Sequence, residues 1–416
     1  MDMTWLRRCA SRTELRFSSQ EIVLDQEHLL TLILLRLPYI QLASLKSVSK
    51  KWHSLVTTPH FASLVRNSVP PLRASGLFLQ RPVCLRSPRD EVYFISLDNP
   101  NTPSPFTTLT FAHDPFDPQK IRILQSCNGL LLCSTALYRP KELRKYYVYN
   151  PSINHLDTLP EHPPGSGHWV RYVGLCFDPS QSSHYKIIAF DTTYSSPSHY
   201  VGNFYIYSSK TGTWKASLQC FTPPPPGANI SGGVYLNGCI HWLSKLNYKS
   251  EPHSTVSDCL CFNVDDERLE TFPRPPTSVR SASRRSLYFG ESEGHLHFIE
   301  ACPYATSLIF YEMKSDYSGW FVKYQIDLDP ISKVFPEMTK QKFIFHDRND
   351  YAVAVLSLIR RENFREDPFL TLEVPGKVIR YNLVTRSVKM IWDFSLENVD
   401  EWSFGNLQVW QYIESV

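Results

Sequence analysis

Residues 128–134 read NGLLLCS, a turn-forming Asn-Gly pair followed directly by a run of apolar residues. The pair favours a tight turn and the run favours a β-strand, so the segment predicts a strand that begins at a turn. Similar units recur at intervals of about 55 residues, a spacing that is typical of repeat architectures. The units begin near Gly76, Gly129, His184, Gly238, Gly294 and Asn349.

A second type of unit lies between these repeats and consists of an aromatic strand, a polar turn and another strand. Its copies are YVYNPS (147–152), YIYSSKTGTW (205–214), CFNVDDERLETF (261–272), IFYEMKSDYSGW (309–320) and IRYNLVTRSVKMIW (379–392). Two hairpins per repeat give four strands, which is the content of one propeller blade. The sequence therefore predicts a mainly β fold with a roughly six-bladed β-propeller over residues 76–416. An irregular β-sandwich with accidental spacing is the alternative.

A closed propeller requires that its two chain ends meet, because closure removes the exposed sheet edges. Residues 404–415, FGNLQVWQYIES, are strand-like and are predicted to complete the blade that starts with GLFLQ at 76–80. Three polar stretches, 193–203, 221–230 and 244–258, are predicted to be loops that could bind another molecule.

Residues 25–66 follow a helical period instead. Leu30 and Leu34 are separated by one helical turn, Pro38 ends that helix, and a second apolar stripe runs from 42 to 56. This predicts two or three short helices, which need a partner surface or a neighbouring domain because so small a bundle cannot bury its own leucines.

Two further segments flank these helices. Residues 1–20 carry four Arg and several Ser, and they are predicted to form a disordered leader, with an organelle transit peptide as the alternative. Residues 67–75 are predicted to form a hinge between the helical segment and the propeller.

Composition narrows the function classes. The 416 residues include 43 Lys and Arg against 40 Asp and Glu, a net charge of +3 that does not favour a nucleic-acid binder. The 10 cysteines contain no CxxC pair, which favours buried free thiols in the cytoplasm or nucleus over a zinc site. No apolar run is long enough to cross a membrane.

The helical segment resembles an F-box. The resemblance lies in VSKKWHSL (48–55), preceded by Leu37-Pro38 and followed by Pro59-His60-Phe61. The β region is similar to the F-box-associated and kelch-like propellers of the large plant F-box families, through the phrases GLFLQ, SCNGLLLC, YYVYNPS and YIES. The resemblance implies an F-box at 21–66 and a substrate-recognition propeller at 76–416.

The same resemblance implies a function and a site. An F-box docks on the Skp1 adaptor, and through it on the cullin, of an SCF ubiquitin ligase, while the propeller holds an unknown protein that is to be ubiquitinated. The residues expected to contact Skp1 are Leu37, Pro38, Leu42, Leu45, Val48, Trp52 and Leu55. Two alternatives stay open: the apolar stripe packs only against the β region, or the propeller binds protein, carbohydrate or a small molecule beside a head that does not dock.

The sequence does not indicate an enzyme. It contains no HExxH, GxSxG or P-loop motif, so we expect no catalytic residue and no cofactor. His295 and His297 are predicted to share one face of a strand, but no third ligand lies near them in the sequence, so we expect no metal site.

Overall fold

The structure is a computed structural model that describes residues 27–34, 49–56, 58, 61, 74–80, 92–97, 104–105, 121–135, 145–161, 169–196, 199–221, 232–243, 259–276, 288–301, 306–340, 351–361, 366–394 and 407–414. The chain divides into two compact units, the head (Met1–Val69) and the propeller (Pro70–Val416). The division falls within the stretch predicted as a hinge. The predicted leader, 1–20, lies outside the described residues.

The head contains two described helices, α1 (Glu27–Leu34) and α2 (Lys50–Val56). Ser49 caps α2, because its hydroxyl accepts a hydrogen bond from the Trp52 amide at 3.1 Å. The helices pack through a small cluster of four buried residues: Leu30, Leu34, Leu55 and Phe61. This cluster is the head's own hydrophobic core among the described residues.

The propeller contains 23 described strands in six antiparallel sheets, which we number as blades 1 to 6. The strands of blades 1 to 3 are β1 (Ala74–Gln80), β2 (Val92–Ser96), β3 (Ile121–Cys127), β4 (Leu130–Thr135), β5 (Tyr146–Asn150), β6 (His155–Thr158), β7 (Trp169–Cys176), β8 (Lys186–Ser196), β9 (His199–Ser208) and β10 (Thr213–Phe221). Those of blades 4 to 6 and the closing strand are β11 (Val234–Leu236), β12 (Cys239–Leu243), β13 (Cys259–Asn263), β14 (Arg268–Thr271), β15 (Tyr288–Ser292), β16 (His295–Ala301), β17 (Ser307–Met313), β18 (Trp320–Asp327), β19 (Ala354–Arg361), β20 (Glu366–Val374), β21 (Lys377–Asn382), β22 (Val388–Asp393) and β23 (Gln408–Ile413).

Chain closure joins the two ends of the propeller. Strand β23 pairs antiparallel with β1, so that Phe78 lies opposite Trp410 and Gln80 opposite Gln408. Blade 1 therefore has the order β2-β1-β23, while blades 2 to 6 each contain four consecutive strands. The predictions of six blades and of closure by residues 404–415 are confirmed.

The first strands of consecutive blades are neighbours, and glutamine side chains connect them. Gln125 on β3 both donates to the Leu175 carbonyl at 3.0 Å and accepts from the Leu175 amide at 2.8 Å. Gln411 on β23 donates to the Ser357 hydroxyl and to the Leu358 carbonyl of blade 6. Each glutamine satisfies at least one backbone group at the free edge of an inner strand, which stabilises the blade order.

The last predicted repeat start is wrong by one strand. In blades 2 to 5 the predicted unit precedes the second strand, whereas Asn349, which is outside the described residues, precedes β19, the first strand of blade 6. The shift arises because α3 (Asp329–Val334) and α4 (Glu337–Lys340), which the sequence analysis did not predict, lengthen the connection from β18. Ile331 and Met338 anchor this insertion in the core of blades 5 and 6.

The strand directions define two faces of the propeller. The turn face carries the connections between first and second strands, such as Asn128–Gly129, and between third and fourth strands. The loop face carries the connections between second and third strands and between blades, including α3 and α4. The strands joined by 221–230 and by 244–258 end at the loop face, although nearly all of these two segments lie outside the described residues.

The prediction of a loop at residues 193–203 is largely wrong. Residues 193–196 and 199–203 continue the hairpin of β8 and β9, with Thr193 paired to Val201 and Tyr194 to Tyr200. The hairpin also reaches the loop face, so all three predicted segments belong to one side of the propeller.

Candidate functional site: partner-binding surfaces

Helix α1 is apolar on more than one face. Leu30 and Leu34 are buried in the head cluster, whereas Leu32 and Ile33 keep 57% and 46% of their surface exposed. A helix that is apolar all round is normally covered on every side. The head therefore offers an apolar surface that its own described residues do not cover.

Trp52, one of the residues expected to contact Skp1, lies on α2 and is half-buried. It packs against the head cluster, where Leu55 has 7% of its surface exposed. Leu55 therefore supports the residues of the apolar head surface more than it contributes to that surface itself. Of the other predicted contact residues, Leu37, Pro38, Leu42, Leu45 and Val48 lie outside the described residues.

Sequence reasoning missed part of this surface. It counted Ile33 with Leu30 and Leu34 in the apolar period of α1, and it predicted no partner contact for Ile33 or for Leu32. The signal was available, because Leu32 and Ile33 are adjacent to Leu34, and three consecutive apolar residues cannot all lie on one narrow helical stripe.

The largest group of buried charges described in the propeller centres on Glu312 of β17. Its Oε2 lies 2.6 Å from Lys323 Nζ, 3.3 Å from Arg360 Nη1 and 3.5 Å from His297 Nδ1. Arg360 belongs to blade 6 and the other three to blade 5, so the group ties two blades together. Burial, with Arg360 and Lys323 nearby, lowers the pKa of His297 to about 3. The neutral imidazole therefore takes a structural role between pH 4 and 8.

His295 and His297 share a strand face, with ring centroids 6.5 Å apart. Within the described part of the chain, no group of three or more His, Cys, Asp or Glu side chains could hold a metal ion.

The thiols have the character of core residues. Of the six cysteines described, Cys127, Cys133, Cys176, Cys259 and Cys261 are buried, Cys239 is half-buried, and none forms a disulfide. Burial raises the pKa of Cys127 and of Cys133 to about 12, which leaves almost no thiolate at neutral pH. Free, mostly buried thiols were predicted, and for these six cysteines the prediction is confirmed.

No helix among the described ranges has the length and apolar character needed to span a bilayer.

Comparison with known proteins agrees with both units. The F-box domain family matches residues 27–64, and the F-box associated beta propeller domain family matches residues 87–371. An F-box protein of Arabidopsis thaliana is 32% identical over 417 residues, covering 96% of this chain and 93% of its own length. A putative F-box/kelch-repeat protein of the same plant is 22% identical and covers 74% of this chain and 77% of its own length.

Among solved structures, the β-propeller domain of the Trilobed protease from Pyrococcus furiosus aligns with 81% of this chain and 88% of that chain, at 8% identity and a TM-score of 0.37. The family assignment depends on the sequence matches, which cover both units and most of the chain. The chain belongs to the F-box proteins that carry an F-box-associated β-propeller.

Proposed function

We propose that this chain is the substrate-receptor subunit of an SCF-type ubiquitin ligase. Its head binds a Skp1-like adaptor and, through it, the cullin, while its propeller holds the protein to be ubiquitinated. The observation that carries the proposal is the uncovered apolar surface of an F-box head, Leu32 and Ile33 on α1.

The head has the chemistry of a helix-in-groove interface. Apolar side chains displayed by a short helix are recognised by an apolar groove on a partner. Trp52 would be the aromatic anchor, because part of its surface packs on the head cluster and part stays accessible. Leu37, Pro38, Leu42, Leu45, Val48 and Leu55 remain predicted contacts, and the burial of Leu55 in the head cluster lets it also support Trp52.

The propeller suits the receptor role because it is a closed and well-packed scaffold. Strand β23 pairs with β1, and the connections of the loop face leave from this scaffold. Binding residues commonly lie on connections that a rigid core positions. The loop face is therefore the side on which we place the bound protein.

No catalytic step is assigned to this chain. Ubiquitin transfer in such a complex is carried out by other subunits, and the receptor contributes by holding a lysine of its substrate close to them. Its thiols fit a reducing compartment, and we place the protein in the cytoplasm or the nucleus.

Co-purification of the full chain with a plant Skp1-like adaptor tests the proposal. The wild-type chain is expected to form a stable complex, and Trp52→Ala and Pro38→Ala are expected to weaken it. Because Trp52 also packs inside the head, its loss is compared with that of a surface change, Leu32→Asp, which removes no buried contact.

The alternative is a propeller binding module whose head does not dock. It predicts no complex between the wild-type chain and the adaptor under conditions in which a known F-box protein forms one. That result would remove the ligase role and leave the propeller assignment intact.

A further inference from the structure

Arg122 is an unusual residue for the interior of a propeller. It is the second residue of β3 and keeps only 7% of its surface exposed. Its Nε is fully buried and makes no hydrogen bond with the described residues. No described carboxylate forms an ion pair with it. A buried donor without a partner is costly, since it has lost its hydrogen bond to water and gained none in return.

The backbone around Arg122 is held in place. The Gln80 side chain donates to the Ile121 carbonyl at 2.8 Å and accepts from the Ile123 amide at 3.1 Å. These two residues flank Arg122 on both sides. The arginine therefore stands on a segment that is fixed from blade 1, which is the arrangement expected of a positioned recognition residue.

Arg122 lies near the loop face. Strand β3 begins at that face, and β4, whose Ser134 lies opposite Arg122, ends there. Ile121 and Ile123 pack between blades 1 and 2, so strand alternation places Arg122 on the other side of the sheet, toward blade 3. Tyr146, which lies opposite Ser134 on β5, packs on that same side. Arg122 thus lies at the loop-face end of the seam between blades 2 and 3.

We propose that Arg122 is a recognition residue of the propeller, and that it binds an acidic group, a carboxylate or a phosphoryl group, on the protein captured at the loop face. This inference rests on the proposed function, since it concerns the same bound protein. A guanidinium offers a planar set of donors that matches both kinds of oxyanion, and a charge-assisted bond in a poorly hydrated seam is strong. The anion of the partner would supply the charge that the described residues do not.

The test compares the thermal unfolding of the full chain, without adaptor, in wild-type and Arg122→Met forms. Methionine keeps the length and apolar contacts of the arginine stem but removes the charge. Arg171→Met is the matched control, because Arg171 is an exposed arginine on the neighbouring strand β7 that donates to Thr192 Oγ1 at 3.1 Å. Inorganic phosphate and glutarate are the two anion probes, each compared with chloride at equal ionic strength.

The proposal predicts that Arg122→Met raises the unfolding midpoint in chloride, by about 2 °C or more, since it removes a buried donor that has no partner. Phosphate or glutarate should raise the midpoint of the wild-type and Arg171→Met chains and leave that of Arg122→Met unchanged. The more effective probe identifies the source, phosphate indicating a phosphorylated partner and glutarate an acidic side chain.

Two results would overturn the proposal. A lower midpoint for Arg122→Met than for Arg171→Met would mean that an acid elsewhere in this chain already neutralises the arginine. Equal responses of wild-type and Arg122→Met chains to both anions would mean that the site binds no oxyanion. Formation of the adaptor complex by all three chains is measured separately, so failure of the ligase role and failure of this site are distinguishable.

Discussion

Replacing Gly174 by alanine should destabilise the propeller through one aromatic ring. A Cβ at position 174 would lie 2.3 Å from Tyr172 Oη, 2.5 Å from Cε1 and 2.6 Å from Cζ. Because non-bonded carbons approach to about 3.5–4.0 Å, the ring would have to move by about 1 Å. Tyr172 is buried, meets Trp242 edge-on at 5.3 Å, and has Gly233 of the next blade against its hydroxyl. The ring has no free space on either side.

The magnitude follows from this enclosure. Inserting one methyl group into a tightly packed site costs about 1–3 kcal/mol of unfolding free energy, and we expect the upper part of that range. In a Tyr172→Ala background the ring is gone, and Gly174 has no left-handed conformation that alanine would strain. There Gly174→Ala should stabilise the chain by about 0.4–1 kcal/mol, because it restricts the unfolded state.

The assay is urea unfolding at equilibrium for the wild-type chain, both single variants and the double variant. The prediction is a change of sign: the alanine at 174 destabilises beside Tyr172 and stabilises without it. An equal cost in both backgrounds would refute the reasoning, because the ring of Tyr172 would then not be the cause.

Three further predictions concern the blade interfaces. Arg360→Ala leaves the buried Glu312 without one of its cations and should lower the free energy of unfolding, measured in urea, by about 2–3 kcal/mol. In a Glu312→Gln background the same substitution should lower it clearly less. His297 has its pKa lowered by burial from an ordinary value of about 6.5, so the unfolded chain binds the extra proton and stability falls as the pH drops below about 6.5. The loss at pH 5 should be about 2 kcal/mol relative to pH 7, and His297→Gln should reduce that pH dependence; an unchanged slope would contradict the assignment. Trp320→Phe removes the hydrogen bond from Nε1 to the Pro273 carbonyl, at 2.8 Å, and should lower the free energy of unfolding by about 1 kcal/mol. An unchanged free energy of unfolding would mean that the ring alone holds blade 5 to the segment leaving blade 4.

Turn chemistry made the blade count predictable. Asn128-Gly129 and Asn237-Gly238 adopt positive φ at both positions, which is the geometry that an Asn-Gly pair favours in a tight hairpin. Each pair marks the same place in its blade, so the period could be read without knowing the strands. The register of blade 6 could not, because α3 and α4 are short and their stability comes from the buried Ile331 and Met338.

The exposure of apolar side chains and the burial of charged ones could not be predicted from the sequence. Leu32 and Leu34 are the same residue type in one helix, and only the packing of the head shows that the first is uncovered. Arg122 and Arg171 occupy similar positions near the starts of β3 and β7, yet one is buried and the other exposed. Such differences depend on neighbouring blades that are distant in the chain, so no local pattern records them.

The central claim is that the head's uncovered apolar surface binds a Skp1-like adaptor, and titration calorimetry of the adaptor into the full chain tests it most directly. Leu32→Asp and Ile33→Asp should each raise the dissociation constant by about tenfold or more, which corresponds to a loss of about 1.4 kcal/mol of binding free energy. Leu218→Asp is the control, since Leu218 is 94% exposed on β10 of the propeller and should leave the affinity unchanged. Equal affinities for the wild-type chain and all three variants would contradict the account.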